Sequence, residues 1–469
     1  MTTKNELSRR IVADMLNEQR QPTPFAERCD DTLPLSFPPQ LPVGNGRFIP
    51  VTKAALQDIW AYGTILRSND PALALSHTDE QISHIVGRAF GGAFATVDID
   101  RPDEEVHDRT MEAVQEYLEK ELAPGKHEEE FVFGCWALTG PGTDDLTIGP
   151  VRIEARENWL ARETELGRIS QISAKRIRKK WNGGSLSRRV TSLDYEKERM
   201  VIDTVEDCST VCSIVTKGLS QKVAKHKAPL AARLALTALA LSWETPSRAL
   251  DRMGLLVDGP IYKKRAISFA PTHVSGLFTQ VSHIGGQFVT DEWLLRWPSL
   301  DWLIGPIGDA LSAYVQPNKT SSRPCINNAL FMSLWWFHEA CREEAPLFAI
   351  VKYAASLDAL AGGGGMRGIQ ELVSARLSIA PSDPLTMGGR TMREVVKEIY
   401  SDARSRAIHG STDCHGHDWQ GTRSMAEGLA RFCLRLSCEW IWENQGSDDL
   451  AALRRSDVLR SASNIPCNG

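Results

Sequence analysis

Apolar positions along this chain change their period several times, and the changes mark out its parts. Between Met111 and Glu121, Met111, Val114 and Leu118 recur at helical spacing. Two stretches, EFVFGCWAL over 130–138 and LTIGPVRI over 146–153, instead carry the short apolar runs of strands, with residues 140–145 as the turn between them. The first fifty residues are rich in proline and polar residues, with Pro22, Pro24 and then Pro34 to Pro42, and read as an extended arm. Residues 1–190 are thus expected to form an α+β domain with that arm.

From 191 to 325 the pattern predicts a helical middle region. Its clearest segments are 200–217, which places Cys208 and Cys212 on one helix, and 229–243, with Pro229 in the first turn. Residues 326–445 are the most legible. Helices are predicted over 327–344, 347–360, 369–380 and 391–409. A last helix carries Met425, Leu429, Phe432, Cys433, Leu436 and Trp440 on one face. Gly362 to Gly365 reads as a hinge between two of them, Thr391 and Glu394 have capping-box spacing, and Gly410 stands where a helix ends. Short connections make this an antiparallel bundle, and 446–469 is a polar tail. The fold class expected is multidomain and predominantly α.

Composition narrows the function. A chain of 469 residues calls for two or three domains. A net charge of −5 excludes a uniformly basic nucleic-acid binder while allowing a local basic patch. The most basic stretch, KRIRKKWNGGSLSRR over 175–189, offers Lys179 and Lys180 as phosphate contacts and Trp181 as a stacking platform for RNA. A solvated helix face ending at Gly183-Gly184 explains it as well. The N-terminus has no apolar signal core, and the longest apolar run, Leu230 to Trp243, is too short to span a bilayer. A cytoplasmic protein with no membrane contact is expected. Ten cysteines without zinc-knuckle spacing read as reduced, mostly buried thiols.

The chemistry-bearing segment is YSDARSRAIHG over 400–410, in which Arg404 and His409 are separated by four residues. Cleaving RNA without a metal uses the ribose 2′-hydroxyl as nucleophile. Imidazole titrates near neutrality and can move the proton, and a guanidinium can offset charge on the phosphate oxygens. His409, in the last turn of its helix, suits a general acid. Ser405, four residues earlier, is within reach of the His409 ring. Arg406 is a phosphate contact or pairs with Asp402.

This segment resembles the C-terminal signature of the Apea-like HEPN family of nucleases. The resemblance extends upstream to FAIVKYAASLDAL over 348–360, where an acidic residue stands at Asp358, and to IQELVSARLSI over 369–379. It covers roughly 325–445, about a quarter of the chain. It implies an endoribonuclease (a hydrolase-class endonuclease needing no cofactor) in antiviral defence or a toxin-like role, with the upstream regions sensing a trigger ligand or protein. Asp358 would orient His409 or Arg404. On a regular helix residues five apart point about 140° from each other, so Arg404 and His409 would not converge on one phosphate. Either the last turn loosens or a second copy completes the site; the resemblance implies a homodimer through the bundle.

Two other readings compete. The bundle is a non-catalytic RNA-binding or dimerisation module, since Arg and His at a helix end also serve as dipole partners. Alternatively Cys414, His415 and His417 hold a metal for a hydrolase, although their spacing matches no common zinc pattern. The glycine quartet is no P-loop, because no Gly-Lys-Ser/Thr follows. His338, Trp335 and Trp336 lie on an apolar helix and read as core or interface.

Overall fold

The computed structural model describes the chain except residues 1, 23–38, 124–127, 140–144, 188–191, 259–262, 272, 282–286, 289–296, 318–320, 405–406, 408–416 and 456–469. Helix dominates, and antiparallel pairing prevails in the small sheet region. Among the described residues no helix is long and apolar enough to cross a membrane. The chain divides into two compact units. One comprises 1–129, 216–226 and 316–318; the other comprises 130–215, 227–315 and 319–469.

The first unit begins with a helix, Lys4–Arg20, which corrects the expected extended arm. Thr3 and Glu6 form its capping box: the Thr3 hydroxyl accepts from the Glu6 amide at 3.2 Å, and the Glu6 carboxylate accepts from the Thr3 amide at 2.7 Å. Leu7, Ile11 and Met15 at i, i+4 spacing, with Val12 and Leu16, give the helix one buried face. That periodicity is present in the sequence, hidden beside the proline-rich segment that follows. A hairpin, Gln40–Gly44 with Arg47–Pro50, and the helices Lys53–Asn69, Asp79–Phe94 and Asp103–Glu121 complete the unit. Their shared core includes Ile59, Tyr62, Ile82, Val86, Phe90 and Val114.

The sheet belongs mainly to the second unit. Its strand order is Asp145–Ile148, Val151–Ala155, Thr210–Lys217, Glu128–Trp136, Gly254–Leu255. The single strand expected over 146–153 is therefore a tight hairpin turning at Gly149-Pro150. Only glycine fits there: φ is +58°, and a Cβ would lie 2.2 Å from the Gly308 carbonyl oxygen. Glu128–Trp136 is not a neighbour of Asp145–Ile148 in the sheet, so the two do not form the expected hairpin. Residues 140–144, read as its turn, lie outside the described residues.

Residues 191–325 are not uniformly helical. The predicted helix 200–217 ends at Val205, and Thr210–Lys217 is a strand. Its run of Thr210, Val211, Ile214, Val215 and Thr216 is β-branched and almost wholly buried, which favours the pleated conformation. Cys208 sits in the intervening turn and Cys212 in the strand. A further hairpin pairs Lys263–Ala270 with His273–Val281. Pro229 stands inside the helix Gln221–Ala240 rather than at its start, at the loss of one backbone bond.

The last third matches its predicted helices closely: Pro324–Arg342, Pro346–Leu360, Gly365–Leu377 and Gln420–Glu443. Pro346–Leu360 is their hub. It packs against Pro324–Arg342, Gln420–Glu443 and the segment 398–404, burying Ile350, Tyr353, Ala354, Leu357 and Leu360. Phe432, assigned to the apolar face of the last helix, is half exposed. The helix predicted over 391–409 starts with the expected Thr391–Glu394 capping box. It is α-helical over Met392–Lys397 and then widens into a π-helix, Glu398–Arg404.

Candidate functional site

The π-helical turn carries Arg404 at its end. A π turn closes i→i+5 and is rare outside local bulges, many of them at functional sites. Two side chains anchor its start. The Glu398 carboxylate accepts from both Arg390 and the Thr422 hydroxyl, tying the turn to the loop before it and to the last helix. Ile399 and Ala403 are buried. Tyr400 and Arg404, four residues apart, meet on the outer side: the guanidinium lies 4.6 Å from the centre of the Tyr400 ring. Both are partly exposed. Among the described residues Arg404 makes no hydrogen bond or ion pair.

Beside this turn lies the glycine quartet. Gly362, Gly363, Gly364 and Gly365 all have positive φ, between +60° and +94°, a path that side-chain-bearing residues adopt only with strain. The quartet reverses the chain between Pro346–Leu360 and Gly365–Leu377 in very little space. A Cβ on Gly365 would stand 3.0 Å from the Tyr400 hydroxyl oxygen. Asp358 closes the turn, its Oδ1 accepting from the Gly365 amide at 2.9 Å and its carbonyl from the Gly363 amide at 2.8 Å. Its carboxylate is therefore engaged with the backbone and makes no hydrogen bond or ion pair to Arg404. Next to Tyr400, the Ser401 hydroxyl donates to the Met366 sulfur at 3.5 Å.

His409, Ser405 and Arg406 lie outside the described residues, as do Gly410, Cys414 and His415. His417 is exposed and meets the Trp419 ring edge-on at 4.3 Å between centres. Among the described residues no group of three metal-ligating side chains gathers.

The basic stretch divides in two. Within the helix Gln171–Trp181, Arg176 pairs with the buried Glu198 at 2.9 Å and Arg178 with Glu157 at 3.0 Å, whereas Lys179 and Lys180 are exposed. Trp181 is not an open stacking platform. Its ring packs against the apolar cluster around Trp159 and Ile177, and Arg156 lies 5.0 Å from its centre. Arg156 also donates to the carbonyls of Cys208, at 3.2 Å, and of Trp181 and Glu206, each at 3.4 Å.

The sequence pattern gave no sign of a third arrangement. Ser8 Oγ is 3.2 Å from His107 Nε2, and His107 Nδ1 is 3.0 Å from Asp108 Oδ1, the chain of contacts a serine hydrolase uses. Ser8 is only 2% exposed, and its hydroxyl lies 2.9 Å from the Asn5 carbonyl as a donor. It cannot reach a substrate, and the trio is structural. His338 is likewise internal: burial pushes its pKa down to about 3, and Arg342 and Arg233 add to the fall. It bonds the Thr237 hydroxyl at 2.8 Å through Nδ1. Trp335 and Trp336, on the same helix, are partly exposed. Burial also pushes the thiols of Cys135, Cys208, Cys433 and Cys438 up to about 12, which leaves them unreactive.

Compared with protein-family models, curated proteins and solved structures, the chain matches none.

Proposed function

We propose that this chain is a metal-independent endoribonuclease of the HEPN type, with Arg404 and His409 as its working pair and a second copy of the bundle completing the site. The observation that best supports this reading is the state of Arg404. It is held over an aromatic ring at the end of a widened helical turn, and no carboxylate among the described residues neutralises it. A guanidinium so placed keeps its forked N–H donors for a phosphate. The widened turn ends at Arg404, and the span from there to His409, where the sequence geometry calls for a loosened turn, lies outside the described residues.

In this mechanism Arg404 offsets the negative charge that builds on the non-bridging phosphate oxygens as the 2′-hydroxyl attacks. His409 hands a proton to the departing 5′-oxygen, leaving a 2′,3′-cyclic phosphate. Asp358 holds the backbone of the glycine turn through one carboxylate oxygen. Lys179 and Lys180 supply a sequence-independent electrostatic contact to RNA. A role in antiviral defence or as a toxin, with the other unit sensing the trigger, follows from the family resemblance.

The test is incubation of the purified protein with RNA in the presence of a chelator, with the ends identified by mass. Cleavage to 2′,3′-cyclic ends, lost in His409→Ala at an unchanged thermal midpoint, supports the proposal. An His409→Ala variant that cuts as fast as the parent overturns it. Binding without cleavage would favour an RNA-binding module, and activity abolished by the chelator would favour a metal site around His417.

A further inference from the structure

Arg404 is a long side chain whose ordering costs rotamer freedom, so something must hold it if it is to be ready for a phosphate. The Tyr400 ring lies under the guanidinium at 4.6 Å. A cation above a ring is attracted by the negative face without spending a conventional N–H hydrogen bond. The ring is itself held. Its hydroxyl end abuts Gly365, where any side chain would intrude at 3.0 Å. Gly365 in turn is fixed by the 2.9 Å bond from its amide to Asp358. The neighbouring Ser401–Met366 contact links the same two elements.

We propose that Tyr400 is a positioning residue for Arg404, set in place by the glycine turn that Asp358 closes. The proposal rests on the ribonuclease reading and adds a residue to it. It also accounts for two features together: the four consecutive left-handed glycines, and the π-helical widening that ends at Arg404. Tyr400 acts through its ring face rather than its hydroxyl, so Phe should serve and an aliphatic residue should not.

The experiment uses the full chain and an RNA oligonucleotide with chelator present. Tyr400→Phe should keep kcat within about twofold of the parent, and Tyr400→Leu should lower it by roughly 2- to 30-fold with little change in KM. In an Arg404→Gln background Tyr400→Leu should have no further effect, because its action passes through the guanidinium. A series of increasingly fluorinated phenylalanines at 400 keeps the ring's volume while draining charge from its face. Across that series kcat should fall step by step, whether or not Tyr400→Leu folds. A flat series, or losses that multiply in the double variant, overturns the positioning role. If the parent cuts and His409→Ala does not, such a result refutes Tyr400 alone; a parent that never cuts refutes the ribonuclease reading and this inference with it.

Discussion

Arg156 and Arg404 are two of the five arginines that lie over aromatic rings among the described residues, and their surroundings differ in an instructive way. Arg156, over Trp181, gives its remaining donors to three carbonyls, and its ring partner is packed into the cluster around Trp159. Arg404, over Tyr400, has no hydrogen-bond partner among the described residues and is partly exposed. The same pairing thus serves two ends. Where the guanidinium's edges are occupied, the pair closes a helix end and a turn of the fold. At Arg404 the ring is the guanidinium's contact among the described residues, and it holds the cation without neutralising it. Among the described residues, what separates the two is how far the guanidinium's hydrogen-bonding capacity is spent, not the residue type or its distance from a ring.

The sharpest way to break this comparison is to delete each guanidinium. Arg404→Ala is expected to lower kcat for RNA cleavage about 100-fold or more and to leave the thermal midpoint near the parent's. Equal activity in the variant would remove Arg404 from the mechanism. Arg156→Ala is expected to cost about 1–3 kcal/mol of unfolding free energy, read from denaturant midpoints, because it strands carbonyls of the turn after Val205. An unchanged midpoint would show that those bonds are replaced by water.

A backbone change tests the support under Tyr400. Gly365→Ala forces a side chain into φ +60° and against the Tyr400 hydroxyl, and a loss of about 1–2 kcal/mol in stability is expected. Retained stability would mean the quartet has another path. Lys179→Ala with Lys180→Ala should weaken RNA binding evenly across sequences and lessen the slope of affinity against salt by roughly one to two charges. A change in sequence preference instead would assign them a reading role.

The smallest effect at neutral pH comes from His338, a cationisable ring buried in the interior and bonded to the Thr237 hydroxyl. Its pKa falls from 6.5 to about 3, first through desolvation and then through Arg342 and Arg233, with Asp258 opposing. The unfolded chain therefore binds this proton between those values and the folded chain does not, so stability falls as pH drops from 6.5 toward 3. His338→Gln should flatten that limb of a denaturation-midpoint profile relative to the parent. Parallel profiles would show that other groups set the acid limit.

The helices of the last third were legible because their stop and start signals are local. Pro324, Pro346, the glycine quartet and the Thr391–Glu394 box act through neighbours a few residues away. The Lys4–Arg20 helix was equally legible in its i, i+4 pattern and was obscured only by the prolines after it. Thr210–Lys217 was not, since a short apolar run suits a buried helix or a buried strand, and the choice falls to its sheet partner Val151–Ala155.

By itself, then, the sequence determined the predominantly helical character of the chain, the approximate positions of its C-terminal helices and the residue types at the motif, because propensity, capping and periodicity are short-range. Only the tertiary structure decided what those residues face. It packed Trp181 into the cluster around Trp159, set the Tyr400 hydroxyl against Gly365 and widened the helix over Glu398–Arg404. Such outcomes depend on which surfaces meet across dozens of residues of chain, and no local pattern encodes that meeting.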